Sequence, residues 1–354
     1  MDTSATTVQQ WIAAWLVEKG LRSKVTVATY RKEAERFLLW LAQENLELLA
    51  CRHEHASAYL DFLSAPPKHW VGKQSVPKDH EAWRPQRVRK LKPASLRVVR
   101  GALSSLYAYL RKSKLVQDNP FSETPPIRLP ERFDAERVLW PREVEAALIW
   151  LEQQEASAQG AAKQAQQVRA RWAFMLIVLT GLRRAEAARL LMGHFAQNEA
   201  GEWWVTVYGK GNKVRRVPLP DLLLQELARY RKSLGLPALP SRLETRPAIH
   251  PLRGESPLSG RAVYNLMRPV LAGAQLVLKA QGDSNAAAHL RGASTHWLRH
   301  TAATLKLAQG TPLEQVQADL GHASLETTQR YLHTEDRPRY LSAKGLALKR
   351  GKRS

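Results

Sequence analysis

The chain has 354 residues, of which 44% are hydrophobic and 24% charged, so it is long enough for two domains and is not disordered in composition. Its 54 Lys and Arg against 32 Asp and Glu give a net charge of +22, which indicates a polyanionic partner, nucleic acid first and an anionic membrane surface second. The single cysteine excludes an internal disulfide and a cysteine-rich zinc site, and the apolar run Trp172–Leu179 is too short to span a bilayer. Because the N-terminus has no signal peptide, we expect a soluble cytoplasmic protein that does not enter a membrane.

The first 120 residues are predicted to be helical. Apolar residues recur at helical spacing from Ala28 to Ala42, and further helices are expected near Glu54–Leu63 and Ala94–Arg111. The loop at Ser64–Pro93 and the helix after it form a basic segment, residues 66–100, with ten Lys and Arg, two acids and two tryptophans. We interpret this basic segment as a surface that follows DNA phosphates rather than as an ordinary solvated face. Its predicted DNA-binding residues are Arg84, Arg87, Arg89, Lys90, Lys92, Arg97 and Arg100.

A Pro-rich stretch at 122–133 indicates an extended linker after the helical region. Beyond it the periodicity predicts three helices and then two β-strands joined by the turn Gly209–Lys213. These elements are expected at Pro141–Gln154, Gln164–Leu179, Arg184–Leu191, Glu202–Tyr208 and Val214–Leu219. The remainder is predicted to be helical, with a flexible interruption at Gly282–Ala293. The Ala- and Gln-rich stretch at 156–167 is either an exposed helix or an insert.

No common cofactor motif is present in the sequence. There is no phosphate-binding P-loop, no dinucleotide fingerprint and no HExxH zinc motif. The short cluster Cys51–His55 lacks the spacing that would bring metal ligands onto one helix face, and it is interpreted as a helix start. We therefore predict chemistry without a metal or a cofactor.

Four separated segments carry side chains that could perform chemistry. They are TGLRRAE at 180–186, GKGNK at 209–213, HWLRH at 296–300 and LGHASLETTQRYLH at 320–333. Each segment alone has an ordinary structural explanation, such as a surface ion pair between Arg183 and Glu186 or solubilising lysines on a hairpin turn. Their order along one chain is more specific, because together they supply two arginines, a lysine, two histidines and a late tyrosine.

This set of residue types fits phosphoryl transfer. The planar arginine fork neutralises two phosphate oxygens at once, and it stays charged at any working pH. A tyrosine hydroxyl can attack phosphorus when neighbouring groups help it to ionise, and a lysine can protonate the departing sugar oxygen. The covalent phosphotyrosine would preserve the bond energy, so that rejoining the strand needs no ATP.

The four segments, in this order from about Val138 to His333, resemble the boxes of the tyrosine recombinase (phage integrase) family, including its Xer branch. The resemblance implies six catalytic residues: Arg183 and Arg299 on the scissile phosphate, Lys210 as general acid, His296 and His322 as phosphate and proton-transfer partners, and Tyr331 as nucleophile. It also implies that Glu186 supports the first arginine and that His300 plays a supporting role. Lys213 and Arg215, on the same hairpin as Lys210, are expected to contact the DNA backbone.

The resemblance also implies the fold class and the domains. We expect a mainly α fold with a small β-hairpin or sheet. The chain would consist of a helical, SAM-like core-binding domain at 1–121, a linker at 122–136, a mixed α+β catalytic domain at 137–336 and a basic tail at 337–354. The two domains would close around double-stranded DNA carrying short inverted recombination sites. A homotetramer would hold two paired sites, and the free protein would be a monomer or weak oligomer. An accessory protein or a partner recombinase would be a further partner.

The long loop at 64–93, the Ala- and Gln-rich stretch, the interruption at Gly282–Ala293 and the basic tail favour an integrase or resolvase of a mobile genetic element in a prokaryotic cytoplasm, at the nucleoid. The chain begins almost at the core-binding helices, which favours short, simple sites. The alternatives left open are Xer-type resolution of chromosome or plasmid dimers, DNA relaxation in the manner of a type IB topoisomerase, and a DNA-binding protein that kept the fold without the activity. A basic RNA-binding protein is disfavoured because stacking motifs and repeats are missing.

Overall fold

The structure is a computed structural model that describes residues 3–20, 24–72, 76–86, 90–128, 137–209, 213–252 and 254–321, with the backbone alone at 3–6 and 24–25. The chain divides into two compact units, Met1–Glu131 and Arg132–Ser354. This boundary falls inside the segment predicted to be a linker. Each unit has its own hydrophobic core.

The regular secondary structure in the described part of the N-terminal unit is helical, apart from one isolated bridge between Val71 and Gln86. Its α-helices are α1 (Thr3–Gly20), α2 (Lys24–Gln43), α3 (His53–Ser64) and α4 (Pro93–Lys112). The apolar residues of α4 recur at helical spacing and are buried, as in an amphipathic helix that packs along one face. Phe37 of α2 lies at the centre of this core, with its ring centroid 4.8 Å from that of Tyr59 and 5.5 Å from that of Phe121. The helices predicted from periodicity in this half are therefore confirmed.

The described part of the loop between α3 and α4 is attached to the core by Trp70. The Trp70 indole is 5% exposed, packs edge-on against Phe62 and donates from Nε1 to Gln43 Oε1 at 2.7 Å. Backbone bonds from Gly72 N to Gln86 O and from Gln86 N to Trp70 O then tie the two ends of the loop together. The basic segment is thus held to the unit by a buried tryptophan, and that tryptophan belongs to the core rather than to a nucleic-acid surface.

The C-terminal unit combines helices with a three-stranded antiparallel sheet of order β1-β2-β3. The strands are β1 (Phe195–Gln197), β2 (Trp203–Tyr208) and β3 (Val214–Pro218). The helices are α5 (Pro141–Ala156), α6 (Ala161–Thr180), α7 (Arg184–Arg189), α8 (Asp221–Ser233), α9 (Gly260–Ala280), α10 (Ser284–His289), α11 (Thr295–Ala308) and α12 (Leu313–Leu320). The predicted hairpin strands β2 and β3 are confirmed, whereas β1 was not predicted. A strand of three residues is too short to show an alternating pattern.

Helix α6 runs through the core of this unit. All residues from Trp172 to Val178 are buried, as in a helix that is covered on every side. The Trp172 indole donates to the carbonyl of Ala248 at 2.8 Å, so its polar atom is satisfied inside the core. The apolar run seen in the sequence is therefore an internal helix, and none of the described helices is long and apolar enough to cross a membrane.

The prediction of a flexible interruption at Gly282–Ala293 is wrong. This segment forms α10 and a short 3-10 turn at Leu290–Gly292, and Ala286, Ala287 and Leu290 are buried. The Asp283 carboxylate accepts a hydrogen bond from Ala286 N at 3.0 Å, which caps α10. The His289 ring stacks on Trp140 with centroids 4.1 Å apart. The sequence did contain a helix signal, the N-cap residue Asp283 followed by a run of three alanines. The polar residues around this run left no clear apolar periodicity.

Candidate active site

The first arginine of the candidate site lies at the start of α7. Helix α6 ends at Gly181, whose φ of 68° is in the left-handed region, and a Cβ there would lie 2.6 Å from Leu320 Cδ2. The chain then turns into α7, where Glu186 Oε2 accepts from Arg183 N at 2.8 Å and Oε1 accepts from Arg183 Nη1 at 2.9 Å. The Glu186 carboxylate therefore both caps α7 and orients the Arg183 guanidinium, while 42% of the Arg183 side chain stays exposed.

Glu186 also binds Arg215, which reaches it from strand β3. Arg215 Nη1 lies 3.0 Å from Oε1 and Nη2 lies 2.7 Å from Oε2, the two-pronged geometry of a strong arginine–carboxylate pair. Arg215 Nε donates to the carbonyl of Asp319 at 2.7 Å. The Arg215 side chain is 10% exposed and the Glu186 side chain 3%. The predicted contact of Arg215 with the DNA backbone thus differs from what the structure shows, since its guanidinium points into the unit.

The two arginines keep Glu186 ionised. Burial alone would raise the pKa of the Glu186 carboxyl, but the hydrogen bonds and charge of Arg215, joined by hydrogen bonds from Arg183, lower this pKa to about 2. Two guanidinium groups around one carboxylate leave the cluster with a net positive charge. An anion such as a phosphate would therefore be attracted to the exposed edge of Arg183.

The lowered pKa of Glu186 predicts a loss of stability in acid. A carboxyl whose folded pKa lies below its unfolded value stabilises the fold above the unfolded pKa, and that stabilisation is lost as the pH falls through the folded pKa. For Glu186 the window runs from pH 4.5 down to about 2. Unfolding midpoints followed by circular dichroism should fall more steeply across this window in the wild type than in Glu186→Gln. Parallel curves for the two proteins would contradict the lowered pKa.

The second arginine, Arg299, joins two turns that approach the site from different helices. It lies on α11, is 1% exposed, and donates from Nη1 to the carbonyl of Gly181 at 2.6 Å and from Nη2 to the carbonyl of Leu320. Gly181 stands two residues before Arg183, and Leu320 stands two residues before His322. Arg299 therefore sets the position of the first arginine's turn against the end of α12.

The two histidines of the HWLRH segment lie one helical turn apart on α11. Ser294 caps this helix by accepting from His296 N at 3.3 Å. His296 is exposed and His300 is buried, and their ring centroids are 4.4 Å apart at an interplanar angle of 80°. The exposed ring is therefore packed against a buried one, which limits the directions in which the His296 ring can point.

Helix α12 ends next to Arg215. Its carbonyl at Asp319 accepts from Arg215 Nε, and the Asp319 carboxylate forms an ion pair with Lys306 of α11. The helix stops at Gly321, whose φ of 64° is left-handed and where a Cβ would lie 3.0 Å from Arg215 Cδ. A side chain at Gly321 would thus be strained and would crowd Arg215. These contacts fix the point from which the chain continues to His322.

The structure brings together Arg183, Glu186, Arg215 and, through backbone carbonyls, Arg299 in the C-terminal unit. Three predicted catalytic residues lie outside the described residues: Lys210, His322 and Tyr331. The described residues next to them are in place, because Gly209 N donates to Lys213 O at 2.8 Å across the base of the hairpin turn. Lys213 itself is exposed, as expected for a surface cation.

The predicted DNA-binding residues of the N-terminal unit differ in their exposure and in their contacts. Arg84, Lys90, Lys92 and Arg97 are exposed, while Arg87 and Arg89 lie outside the described residues. The Arg84 guanidinium donates to the carbonyls of Glu81 and Trp83. Arg100 is half-buried and donates from Nε to Thr124 Oγ1 at 2.6 Å and from Nη2 to Thr124 O at 2.9 Å. Arg100 therefore holds the chain that follows α4, in contrast to its predicted place on a DNA-binding surface.

Within the described part of the chain, no group of three or more His, Cys, Asp or Glu is arranged to hold a metal ion. The expectation of chemistry without a metal stays a prediction. The inward contacts of Arg215 were not predicted, and the register of β3 explains them. Arg215 and Val217 are two apart on β3, so they share a sheet face, and Val217 is fully buried.

Comparisons with solved structures define the class of this fold. The structure is similar to the XerH site-specific recombinase bound to a palindromic difH substrate, with a TM-score of 0.60, 20% identity, and coverage of 91% of this chain and 80% of that one. It is also similar to a lambda integrase tetramer bound to a Holliday junction, with a TM-score of 0.53, 16% identity, and coverage of 90% and 77%. The mainly α fold with a small sheet is thus confirmed as that of the tyrosine recombinases.

The sequence comparisons identify the family. The phage integrase family matches residues 150–337, more than half of the chain. Tyrosine recombinase XerD of Vibrio cholerae serotype O1 is 26% identical over 332 residues, which cover 92% of this chain and 91% of the relative. The chain therefore belongs to the phage integrase family, and it is an Xer-like tyrosine recombinase, an enzyme that cuts and rejoins DNA at specific sites. The resemblance seen in the four sequence segments is confirmed.

Proposed function

We propose that this protein recombines double-stranded DNA at short inverted sites through a 3′-phosphotyrosine intermediate, in the service of a mobile genetic element. The observation that carries the proposal is the cluster in which Glu186 orients Arg183 and Arg299 ties the turn at Gly181 to the end of α12. This cluster joins three segments: the turn that leads to Arg183, the helix α11 that carries Arg299, and the end of α12, after which the chain continues to His322 and Tyr331. Such a cluster suits an anionic phosphorus centre.

In the proposed reaction the Tyr331 hydroxyl oxygen attacks the scissile phosphorus. A bond forms between this oxygen and phosphorus, the bond from phosphorus to the 5′ oxygen breaks, and Lys210 gives its proton to that oxygen. Arg183 and Arg299 stabilise the charge on the phosphate oxygens, while His296 and His322 donate to the phosphate or take the tyrosine proton. Glu186 and His300 hold these groups in place. Attack by the freed 5′ hydroxyl of another strand reverses the step and rejoins DNA.

We assign the two units to different tasks. Residues 1–121 form a core-binding domain, 122–136 a linker and 137–336 the catalytic domain, with a basic tail at 337–354. The exposed cations Arg84, Lys90, Lys92 and Arg97 support DNA contact by the N-terminal unit. The DNA-bound XerH and the lambda integrase tetramer on a Holliday junction support paired DNA sites and a homotetramer for this chain too. The site of action would be the nucleoid in a prokaryotic cytoplasm.

A second candidate function is the resolution of chromosome or plasmid dimers. The similarity to XerD over 92% of the chain favours it. A supercoiled plasmid carrying two directly repeated sites separates the two roles. A dimer-resolution system acts within that plasmid, whereas an integrase joins two separate molecules that each carry one site. Relaxation of a plasmid without any paired site would instead indicate activity of the topoisomerase kind.

A covalent-trapping assay tests the proposed function. Full-length protein is incubated with nicked duplexes drawn from the flanks of its encoding locus, without metal or ATP, and complexes that resist denaturation are separated. We expect an adduct on the 3′ side of the cut, which also maps the cleavage site. Tight binding to every candidate duplex without any adduct would contradict the proposed mechanism and favour a protein that only binds DNA.

The basic segment predicts how DNA affinity depends on salt. Each phosphate that a cation neutralises releases counterions, so the slope of log affinity against log salt changes by about 0.9 for each cation removed from a phosphate. Replacing Arg84, Lys90, Lys92 and Arg97 with Gln should therefore flatten the slope by about 3 to 4 and weaken binding at low salt. Binding is measured by fluorescence anisotropy over a salt series with one labelled duplex.

The control variant changes cations at and just after the C-terminal end of α4. Arg111, Lys112 and Lys114 are exposed, and the 20-residue length of α4 places them about 30 Å from Lys92. Replacing these three with Gln should leave the slope closer to the wild-type value. Equal slopes for the two variants would mean that the basic segment faces away from DNA.

A further inference from the structure

Arg215 connects three segments of the C-terminal unit. It lies on β3, two residues after Lys213 and the hairpin turn. Its two Nη atoms bind the Glu186 carboxylate at 3.0 and 2.7 Å, and its Nε binds the carbonyl of Asp319 at 2.7 Å. The hairpin, the start of α7 and the end of α12 are therefore joined through one guanidinium.

The sheet determines the direction of this side chain. Arg215 pairs with Val207 across the sheet, and Val207 and Val217 are both buried on that face. The next residue, Arg216, points to the opposite face, where its guanidinium lies 5.0 Å from the centroid of the Trp204 ring. Because a charge is costly to bury unless it is paired, Arg215 requires the Glu186 carboxylate at this position.

The four hydrogen bonds to Glu186 are shared between two arginines. Oε1 accepts from Arg183 Nη1 and Arg215 Nη1, while Oε2 accepts from Arg183 N and Arg215 Nη2. Without Arg215 the carboxylate would keep two of these four bonds, both to Arg183. The direction of the Arg183 guanidinium thus depends on a residue 29 positions further along the chain than Glu186.

We propose that Arg215 is a positioning residue for strand cleavage, which aims Arg183 at the scissile phosphate through Glu186. This inference rests on the proposed function. Through Asp319 the same guanidinium also places the end of α12, two residues before Gly321 and the chain that leads to Tyr331. In this role Arg215 acts through Glu186 and Asp319, to which its Nη and Nε atoms are bound, and its side chain is 10% exposed.

Two other roles make different predictions. A contact with the DNA backbone would appear as a change in DNA affinity, with cleavage of bound DNA unaffected. A purely structural ion pair would change the stability of the fold, and any loss of cleavage would be the same for every substrate. A positioning role through Arg183 predicts a loss that depends on the charge of the scissile phosphate, because neutralising that charge is the task of the arginine.

The test measures single-turnover formation of the covalent adduct with saturating full-length protein. Two nicked duplexes are compared, one with the natural scissile phosphate and one with a methylphosphonate, which lacks the charged non-bridging oxygen. For Arg215→Gln we expect cleavage of the natural phosphate to slow by about 100-fold, since small misplacement of a catalytic group has effects of this size. The difference from wild type should shrink on the methylphosphonate, and DNA affinity should change little.

Two further variants keep the test decisive. Arg215→Lys retains the charge and supports folding, but it cannot form the fork with both carboxylate oxygens, so its cleavage rate should lie between those of wild type and Arg215→Gln. Arg216→Gln removes a neighbouring arginine from the other face of β3 and should cleave bound DNA at the wild-type rate. Circular dichroism verifies that each variant is folded at the assay temperature.

The outcomes separate this inference from the proposed function. Wild-type rates for Arg215→Gln on the natural phosphate would overturn the positioning role alone. So would an equal loss on both substrates, which would mean general damage to the fold. A wild-type protein that forms no adduct on either substrate would refute the proposed function, and the positioning role would fall with it.

Discussion

Replacing Tyr331 with Phe is expected to abolish the covalent protein–DNA adduct completely. Phe has no hydroxyl oxygen, so no phosphotyrosine bond can form and the scissile strand stays intact. The change removes a single oxygen atom and leaves the charge of the protein unchanged. DNA affinity, which depends on cations in contact with phosphates, should therefore stay close to the wild-type value. Denaturing electrophoresis measures the adduct, and fluorescence anisotropy measures the affinity.

The chain provides a matched control for this variant. Tyr340 lies nine positions further along and outside the four sequence boxes, so Tyr340→Phe makes the same chemical change near the same end of the chain. Tyr340→Phe should form the adduct at the wild-type level. An unchanged adduct yield in Tyr331→Phe would assign the nucleophile to another residue, and a loss confined to Tyr340→Phe would identify that tyrosine instead.

Replacing the two arginines with Ala is expected to separate chemistry from stability. Both changes should slow cleavage by roughly 100- to 1000-fold, because each removes a donor from a developing phosphate charge. Only Arg299→Ala should also destabilise the fold, by roughly 3 kcal/mol or more, since its guanidinium donates to two backbone carbonyls that would lose a charged donor. Arg183 is 42% exposed, and its removal should cost far less stability.

Chemical denaturation of the full chain measures the stability difference, and adduct formation at saturating protein measures the chemistry. Arg299→Lys is the informative partner, because it keeps the positive charge but lacks the fork that reaches the carbonyls of Gly181 and Leu320 together. Its stability should fall below that of the wild type. Equal stabilities for Arg183→Ala and Arg299→Ala would contradict the anchoring role of Arg299.

Local sequence patterns predicted much of this fold. Helices such as α2, α4 and α5 follow from apolar residues at helical spacing, and the hairpin follows from two alternating segments around a Gly-rich turn. Elements with a weak local pattern were missed. Strand β1 is three residues long, and α10 is a six-residue helix whose stability comes from burial of Ala286 and Ala287 against the core. Periodicity needs several turns or pleats before it can be recognised.

The chemical inventory of the protein follows from the order of its amino acids. Four boxes in order supplied the arginines, histidines, lysine and tyrosine, and the i, i+3 spacing already placed Glu186 beside Arg183. This spacing works because residues three apart on a helix are neighbours whatever the rest of the chain does. The family, the class of reaction and the helical character of both halves followed from information of this local kind.

Which charges act together depends instead on tertiary packing. Arg215 was expected at the DNA backbone, yet it binds Glu186 from 29 residues away, and Arg299 reaches Gly181 across 118 residues. Arg100, expected on the same kind of surface, holds Thr124. An arginine on an alternating strand or an amphipathic helix has the same sequence pattern whether its guanidinium meets a phosphate or a carboxylate. Only the packing of distant elements brings a buried partner within reach, and the cost of burying an unpaired charge then selects that partner.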